Sequence, residues 1–152
     1  MIFIDTSALY ALLDRDDPNH WPARVTWKQI LSGGQTFLTH NYVLLETVTQ
    51  VQRRLGTEAV AALQEAILPQ VLLFWVDEVL HQRAMAAWLA APRPGESLVD
   101  RISVEVIRLR HCQAAFTFDK ALGAAAGVSV APLPASEGGP WPWWKPRRRM
   151  PS

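Results

Sequence analysis

Cysteine is almost absent from this chain of 152 residues. Cys112 stands alone, which excludes an internal disulfide framework and any zinc site built from several thiolates, and suits a reducing compartment. The sequence also lacks a run of about 18 uninterrupted apolar residues, the least a membrane-spanning helix requires. Asp5, Asp14, Arg15, Asp16 and Asp17 break up the amino-terminal region. No basic stretch leads into an apolar one there, so a cytoplasmic protein is expected, with no membrane association. Internal repeats are missing, and so is a strong charge of one sign: the formal net charge is +1. That total hides an asymmetry, because residues 1–134 carry 11 Lys/Arg against 13 Asp/Glu while residues 135–152 carry 4 against 1.

What is abundant is apolar surface: 49% of residues are apolar and 19% charged, enough to build one core and too much for wholesale disorder. Residues 1–5 read as a short buried strand closed by Asp5, with Thr6 and Ser7 as the polar cap of a helix over 8–13. Pro18 and Pro22 suit a loop entering a second helix, which carries Val25, Trp27, Ile30 and Leu31 until Gly33 and Gly34 end it. Residues 36–39 form the next candidate strand, and Asn41 can cap a helix whose core stripe is Leu44, Val48, Val51 and Leu55. Thr57 opens another helix with Val60, Leu63 and Ile67 on one face, ending near Pro69. A strand over 71–76, helices over 78–91 and 97–110, a strand over 114–118, a short helix to Gly127 and a strand over 128–131 complete the pattern. Alternating apolar strands and helices imply right-handed crossovers and a three-layer α/β/α sandwich with a mostly parallel sheet of about five strands. The domain is assigned to residues 1–134; residues 135–152, rich in Pro, Trp and Arg, have no period and form a tail expected to be flexible or to dock on a partner.

In an open parallel sheet, ligands gather beyond the carboxyl ends of the strands, so an acid directly after an apolar strand marks where sites form. Asp5 follows Ile2, Phe3 and Ile4; Asp119 follows Phe116, Thr117 and Phe118. A turn or cap aspartate is the ordinary explanation of either one alone. Asp100 lies three residues after Ser97, where a capping box accounts for it equally well. Glu46 lies opposite the Leu44, Val48, Val51 stripe, so periodicity alone makes it a solvated glutamate. If these acids converge, repulsion decides the chemistry. Two like charges about 4 Å apart repel by roughly 4 kcal/mol at an effective dielectric of about 20, more than the roughly 0.5–2 kcal/mol that a cap contributes. A hard divalent cation, Mg²⁺ or Mn²⁺, would neutralise them, keep positions open for a phosphate and acidify bound water. Metal-assisted phosphodiester hydrolysis is what such a pocket would do.

Four blocks, in order, carry a resemblance. Phe3-Ile4-Asp5-Thr6-Ser7, Asn41-Tyr42-Val43-Leu44-Leu45-Glu46, Ser97-Leu98-Val99-Asp100-Arg101-Ile102-Ser103 and Ala115-Phe116-Thr117-Phe118-Asp119-Lys120 look like the four acidic motifs of the PIN-domain nucleases. The similarity covers about residues 1–133, and within that superfamily the chain most resembles the VapC-type ribonuclease toxins of bacterial toxin and antitoxin pairs. The resemblance implies that Asp5, Glu46, Asp100 and Asp119 form one acidic pocket that holds Mg²⁺ or Mn²⁺ and cuts single-stranded or looped RNA. It implies support from the hydroxyls of Thr6 and Ser7, a homodimer, and a small antitoxin whose peptide enters the acidic groove. Many relatives place an aromatic residue after the last acidic motif, whereas this chain has Ala121-Leu122, so that edge of the pocket is shaped differently.

Other residues carry less. His20 is a loop histidine that is expected to be exposed or locally bonded, and Cys112 a structural thiol. Trp27, Trp75 and Trp88 fall in apolar patterns that suit the core or a dimer contact. The tail sequence Trp141-Pro142-Trp143-Trp144-Lys145-Pro146-Arg147-Arg148-Arg149 interleaves aromatics with cations, the combination that stacks bases and neutralises phosphates, although disorder or partner docking explains it too. A non-catalytic RNA- or protein-binding module is the alternative to the nuclease, and the presence of all four acids argues against it. A phosphotransfer domain would show paired acids after its first strand, or Asp-x-Asp, where this chain has Asp5-Thr6-Ser7.

Overall fold

A computed structural model of the chain describes residues 1–132. The tail over 135–152 lies outside the described residues. Five strands, β1 (Ile2–Ile4), β2 (Phe37–His40), β3 (Val71–Phe74), β4 (Ala114–Phe116) and β5 (Ser129–Ala131), alternate with helices. Those helices are α1 (Thr6–Leu13), α2 (His20–Ser32), α3 (Asn41–Leu55), α4 (Thr57–Ala62), α5 (Glu78–Ala90), α6 (Leu98–Leu109) and α7 (Lys120–Ala126). The sheet order is β3-β2-β1-β4-β5 and every pairing is parallel. One helical layer is built from α1 against α2 and α3, with α4 on α3; the other from α6 between α5 and α7. Covering on both faces is why β1 and β4 are apolar without alternation and wholly buried. The expected α/β sandwich is therefore the observed one.

This topology fixes where a site can form. From β1 the chain moves outward through β2 and β3, then returns to the other side of β1 with β4 and β5. The strand order reverses between β1 and β4, and the crevice beyond their carboxyl ends is the switch point at which ligands bind in open α/β sheets. Asp5 ends β1 and Thr117 to Asp119 follow β4.

Several local expectations are corrected. The cap of α3 is His40, whose Nδ1 accepts from the Val43 N–H at 3.3 Å, while Asn41 Oδ1 accepts from the Val76 N–H at 2.7 Å. The buried stripe of α3 is Val43, Thr47 and Val51, one residue away from the expected Leu44, with Val48 partly covered and Leu55 at its edge. Thr6 and Ser7 do not cap α1; Asp5 holds that position and no side chain bonds to the helix end. Val25 is exposed, because α2 turns Ala23, Thr26 and Ile30 inward. After α4 the helix widens into a π turn over Leu63–Ile67, which turns Leu63 and Ile67 into the core before β3. Among the described residues no helix is long and apolar enough to cross a membrane.

Candidate active site

Asp5 is the pivot. The extended backbone at the end of β1 carries it into the switch-point crevice, where its side chain is only 8% exposed. Burial pushes its carboxyl up to about 6 from an ordinary 3.8, and the nearby charges of Asp100 and Glu46 push in the same direction. The Thr6 N–H and the Thr117 hydroxyl oppose the rise by favouring the charged form. Glu46 is also raised, first by burial and then by Asp100, against the Thr6 hydroxyl that donates to its Oε2 at 3.3 Å. Three acids from β1, α3 and α6 therefore sense one another, although they are about 40 and 55 residues apart in the chain.

Hydroxyl groups hold this arrangement. Thr117 Oγ1 donates to Asp5 Oδ2 at 3.0 Å and accepts from the Asp119 N–H at 3.0 Å. Its one proton being spent on Asp5, the 3.2 Å contact with Ser7 Oγ has Ser7 as the donor, and Ser7 in turn accepts from the Phe118 N–H at 3.0 Å. Thr117 thereby joins the acid after β1 to the acid after β4. It is fully buried, and nothing in the sequence singled it out; an apolar run interrupted by threonine immediately before a strand-end acid was the available signal. Thr6 and Ser7 act in the same frame, on Glu46 and on Thr117, rather than as caps.

Asp100 and Asp119 each have a structural role and keep an oxygen free of it. Asp100 Oδ2 accepts from the Ser97 N–H at 2.9 Å and its own N–H bonds Ser97 Oγ at 3.1 Å, so the capping box is real. Asp119 caps α7 through Oδ1, which accepts from the Ala121 N–H at 2.9 Å. Both line one cleft of about 290 Å³ between the α5–α6 loop and α7. Among the described residues no Lys, Arg or His forms an ion pair with Asp5, Glu46, Asp100 or Asp119. Nor, among the described residues, are three or more His, Cys, Asp or Glu side chains drawn together closely enough to hold an ion as they stand. Asp5, Glu46 and Asp100 share a field and Asp100 and Asp119 share a cleft, with the carboxylates apart.

The other singled-out residues are structural or exposed. His20 is buried, its Nδ1 2.7 Å from the Ala11 carbonyl oxygen, which corrects its expected loop position to the first residue of α2. Cys112 is a buried free thiol. Trp27 stacks on Phe37, whereas Trp75 is 67% exposed at the end of β3.

The family model of the PIN domain matches residues 2–128. The chain belongs to the PIN-domain family. The 23S rRNA-specific endonuclease VapC20 of Mycobacterium tuberculosis is 36% identical over 135 residues, which span 87% of this chain and 99% of that protein. The crystal structure of VapC20, a toxin that cleaves the sarcin-ricin loop, superposes with a TM-score of 0.71 over 82% of this chain and 95% of its own, at 34% identity. FitAcB of Neisseria gonorrhoeae shares the fold at 21% identity and a TM-score of 0.59 over 86% of this chain and 96% of its own. Both the PIN fold and the resemblance to VapC toxins that the four motifs carry are thus met.

Proposed function

We propose that this PIN domain is a divalent-metal-dependent endoribonuclease, the toxin of a toxin and antitoxin pair, and that it cuts an exposed loop of ribosomal RNA. The observation that carries the reading is Asp5, a buried carboxyl raised to about 6 by burial and by the charges of Asp100 and Glu46, with no cation paired to it among the described residues. An all-oxygen donor set with uncompensated charge fits Mg²⁺ or Mn²⁺ and does not fit softer metals that prefer thiolate or imidazole. Asp5, Glu46, Asp100 and Asp119 would hold the ion, each through an oxygen that a hydroxyl or a helix end leaves free. A metal in such a site lowers the pKa of bound water and shields the charge that builds on a phosphodiester under attack. The protein's own contribution is orientation. Thr117 ties Asp5 to the Asp119 backbone, Thr6 fixes Glu46, and the Ser97 box fixes Asp100, so each carboxylate is restrained singly and the four must close on the ion as it binds.

The relation to VapC20 supports the choice of ribosomal RNA and of an antitoxin partner. Self-association through β3 is supported by Leu72 and Trp75, large apolar side chains exposed on and just after this edge strand. The deciding experiment incubates the purified protein with 23S rRNA, with and without Mg²⁺ or Mn²⁺, and maps new 5′ ends. Metal-dependent cuts that vanish in Asp5→Asn and Asp100→Asn are expected. Cutting that survives either substitution, or excess chelator, refutes the reading.

A further inference from the structure

The cleft beside the acids has a shape of its own. Its volume of about 290 Å³ is at the small end of ligand pockets, which run from about 300 to 1,000 Å³, and suits one planar ring system. Pro94, Val104, Leu122 and Ala125 give it apolar walls, and Asp100 and Asp119 stand on its lining. Ala121, small and exposed at the start of α7, is also on the lining. The opposite wall, the loop before α6, is held from below. Arg101, 9% exposed, donates to Glu96 at 2.8 and 3.1 Å and to the Ala91 carbonyl at 3.0 Å, and Trp88 Nε1 donates to the Glu96 carbonyl at 3.0 Å. A wall fixed in this way keeps the cleft open without a ligand. Arg93, exposed on the same loop, is the cation of the lining, 3.9 Å from Glu96.

An apolar slot next to carboxylates, with one arginine at its rim, matches a nucleotide that has left its stack: the base enters the slot and its phosphate meets the cation. We infer that the cleft between the α5–α6 loop and α7 receives one unstacked nucleobase of the RNA beside the scissile phosphate, with Arg93 on a neighbouring phosphate. This inference rests on the ribonuclease reading and adds to it a subsite that sets which loop nucleotide is cut.

The test measures binding, so that it is independent of cutting. A labelled hairpin carrying the sarcin-ricin loop is titrated with protein in Ca²⁺, and each loop nucleotide is replaced in turn by an abasic residue. One abasic position is expected to weaken binding by at least about tenfold, the size of a lost base contact. Ala121→Trp, which closes the cleft from an exposed position, should weaken binding to the intact hairpin similarly and lose nothing more at that same abasic position. Ala125→Leu, filling the slot one helical turn on, should repeat that non-additivity if the tryptophan variant melts early. Arg93→Gln should instead weaken the intact and abasic hairpins alike. Additive losses, wild-type binding by both filled variants, or no sensitive position overturn the inference. Failure of the ribonuclease reading shows separately, as wild-type protein that binds the hairpin and leaves it whole in Mg²⁺ and Mn²⁺.

Discussion

Replacing Asp5 with Asn should stabilise the metal-free protein while destroying its activity. The reasoning begins from a carboxyl whose pKa rises from 3.8 to about 6 on folding, chiefly through burial. Between those values the folded chain binds the proton that the unfolded chain has lost, so stability declines as pH climbs from about 4 to about 6 and stays lower above it. At about 1.36 kcal/mol per pH unit, the buried charge opposes folding by at most about 3 kcal/mol at neutral pH. Asparagine removes the charge and still accepts from Thr117, but its amide brings N–H donors, and one left unsatisfied costs about 1 kcal/mol or more. A net gain of about 1–2 kcal/mol, or roughly 3–8 °C in melting temperature for a domain of this size, is expected at pH 7.5 in chelator. At pH 4 the wild-type carboxyl is largely protonated, so the gain is lost and the unsatisfied amide should leave the Asn variant melting at or slightly below the wild type. With Mn²⁺ at about 100 times its dissociation constant the order should reverse, since only the wild type gains roughly 2.7 kcal/mol from binding. Thermal melts of both proteins at the two pH values, with chelator or metal, test all three statements. An Asn variant that melts below wild type in chelator at pH 7.5, by more than it does at pH 4, refutes the claim that Asp5 is a strained charge awaiting a cation.

Three further substitutions probe the frame around the crevice. His40 is held near pKa 3 by burial, against an ordinary 6.5, so its contribution is complete above 6.5 and is lost as pH falls towards 3, opposite in sign to Asp5. His40→Gln should therefore turn a loss of stability between pH 6.5 and 4.5 into a gain, by about 2–3 kcal/mol in urea unfolding, and an unchanged pH slope would contradict the assignment. Arg101→Met strands the Glu96 carboxylate in the loop that walls the cleft and should destabilise the protein by about 3 kcal/mol, with Glu96→Gln in the same chain restoring part of it; denaturant midpoints decide. Gly123→Ala would set a Cβ 2.2 Å from Val130 Cγ1 and 3.1 Å from the Val128 carbonyl, forcing α7 off β5 at a cost of about 1–3 kcal/mol. A neutral result in the same assay would show that β5 yields freely.

The fold was legible because apolar runs and breakers alternate strongly enough to survive errors of a residue or two at every boundary. The site was legible only in part, and Glu46 shows why. Counting apolar residues favours Leu44 as the inward position of α3, which sends Glu46 to solvent. The structure turns Val43 and Thr47 inward, because Thr47 satisfies its hydroxyl on the Val43 carbonyl at 2.7 Å and so behaves as a core residue. That rotation of one position brings Glu46 to the edge of the buried face, within reach of Thr6. Threonine misled the pattern a second time at Thr117, which joins Asp5 to Asp119 from inside an apolar run. Hydropathy scores a hydroxyl by its cost in oil, and both of these hydroxyls are buried with their partners.

In the sequence the capping and the metal-binding explanations of the acids compete, and the geometry makes them compatible. A carboxylate has two oxygens, and a helix cap needs one. Asp100 accepts from the Ser97 N–H through Oδ2 and Asp119 from the Ala121 N–H through Oδ1, so in each case a backbone hydrogen bond fixes the rotamer and uses one oxygen of a residue that lines the cleft. Capping is then the means by which α6 and α7 orient their acids, and a capped aspartate in a sequence is no evidence against a ligand. Asp5 is the exception that locates the strain. It ends β1 without a side-chain cap on α1, its side chain is buried, and its only side-chain partner among the described residues is Thr117. The Asp5 carbonyl serves α1 by accepting from the Ala8 and Leu9 N–H groups, but its carboxyl loses hydration, and a bound cation is what would offset that loss.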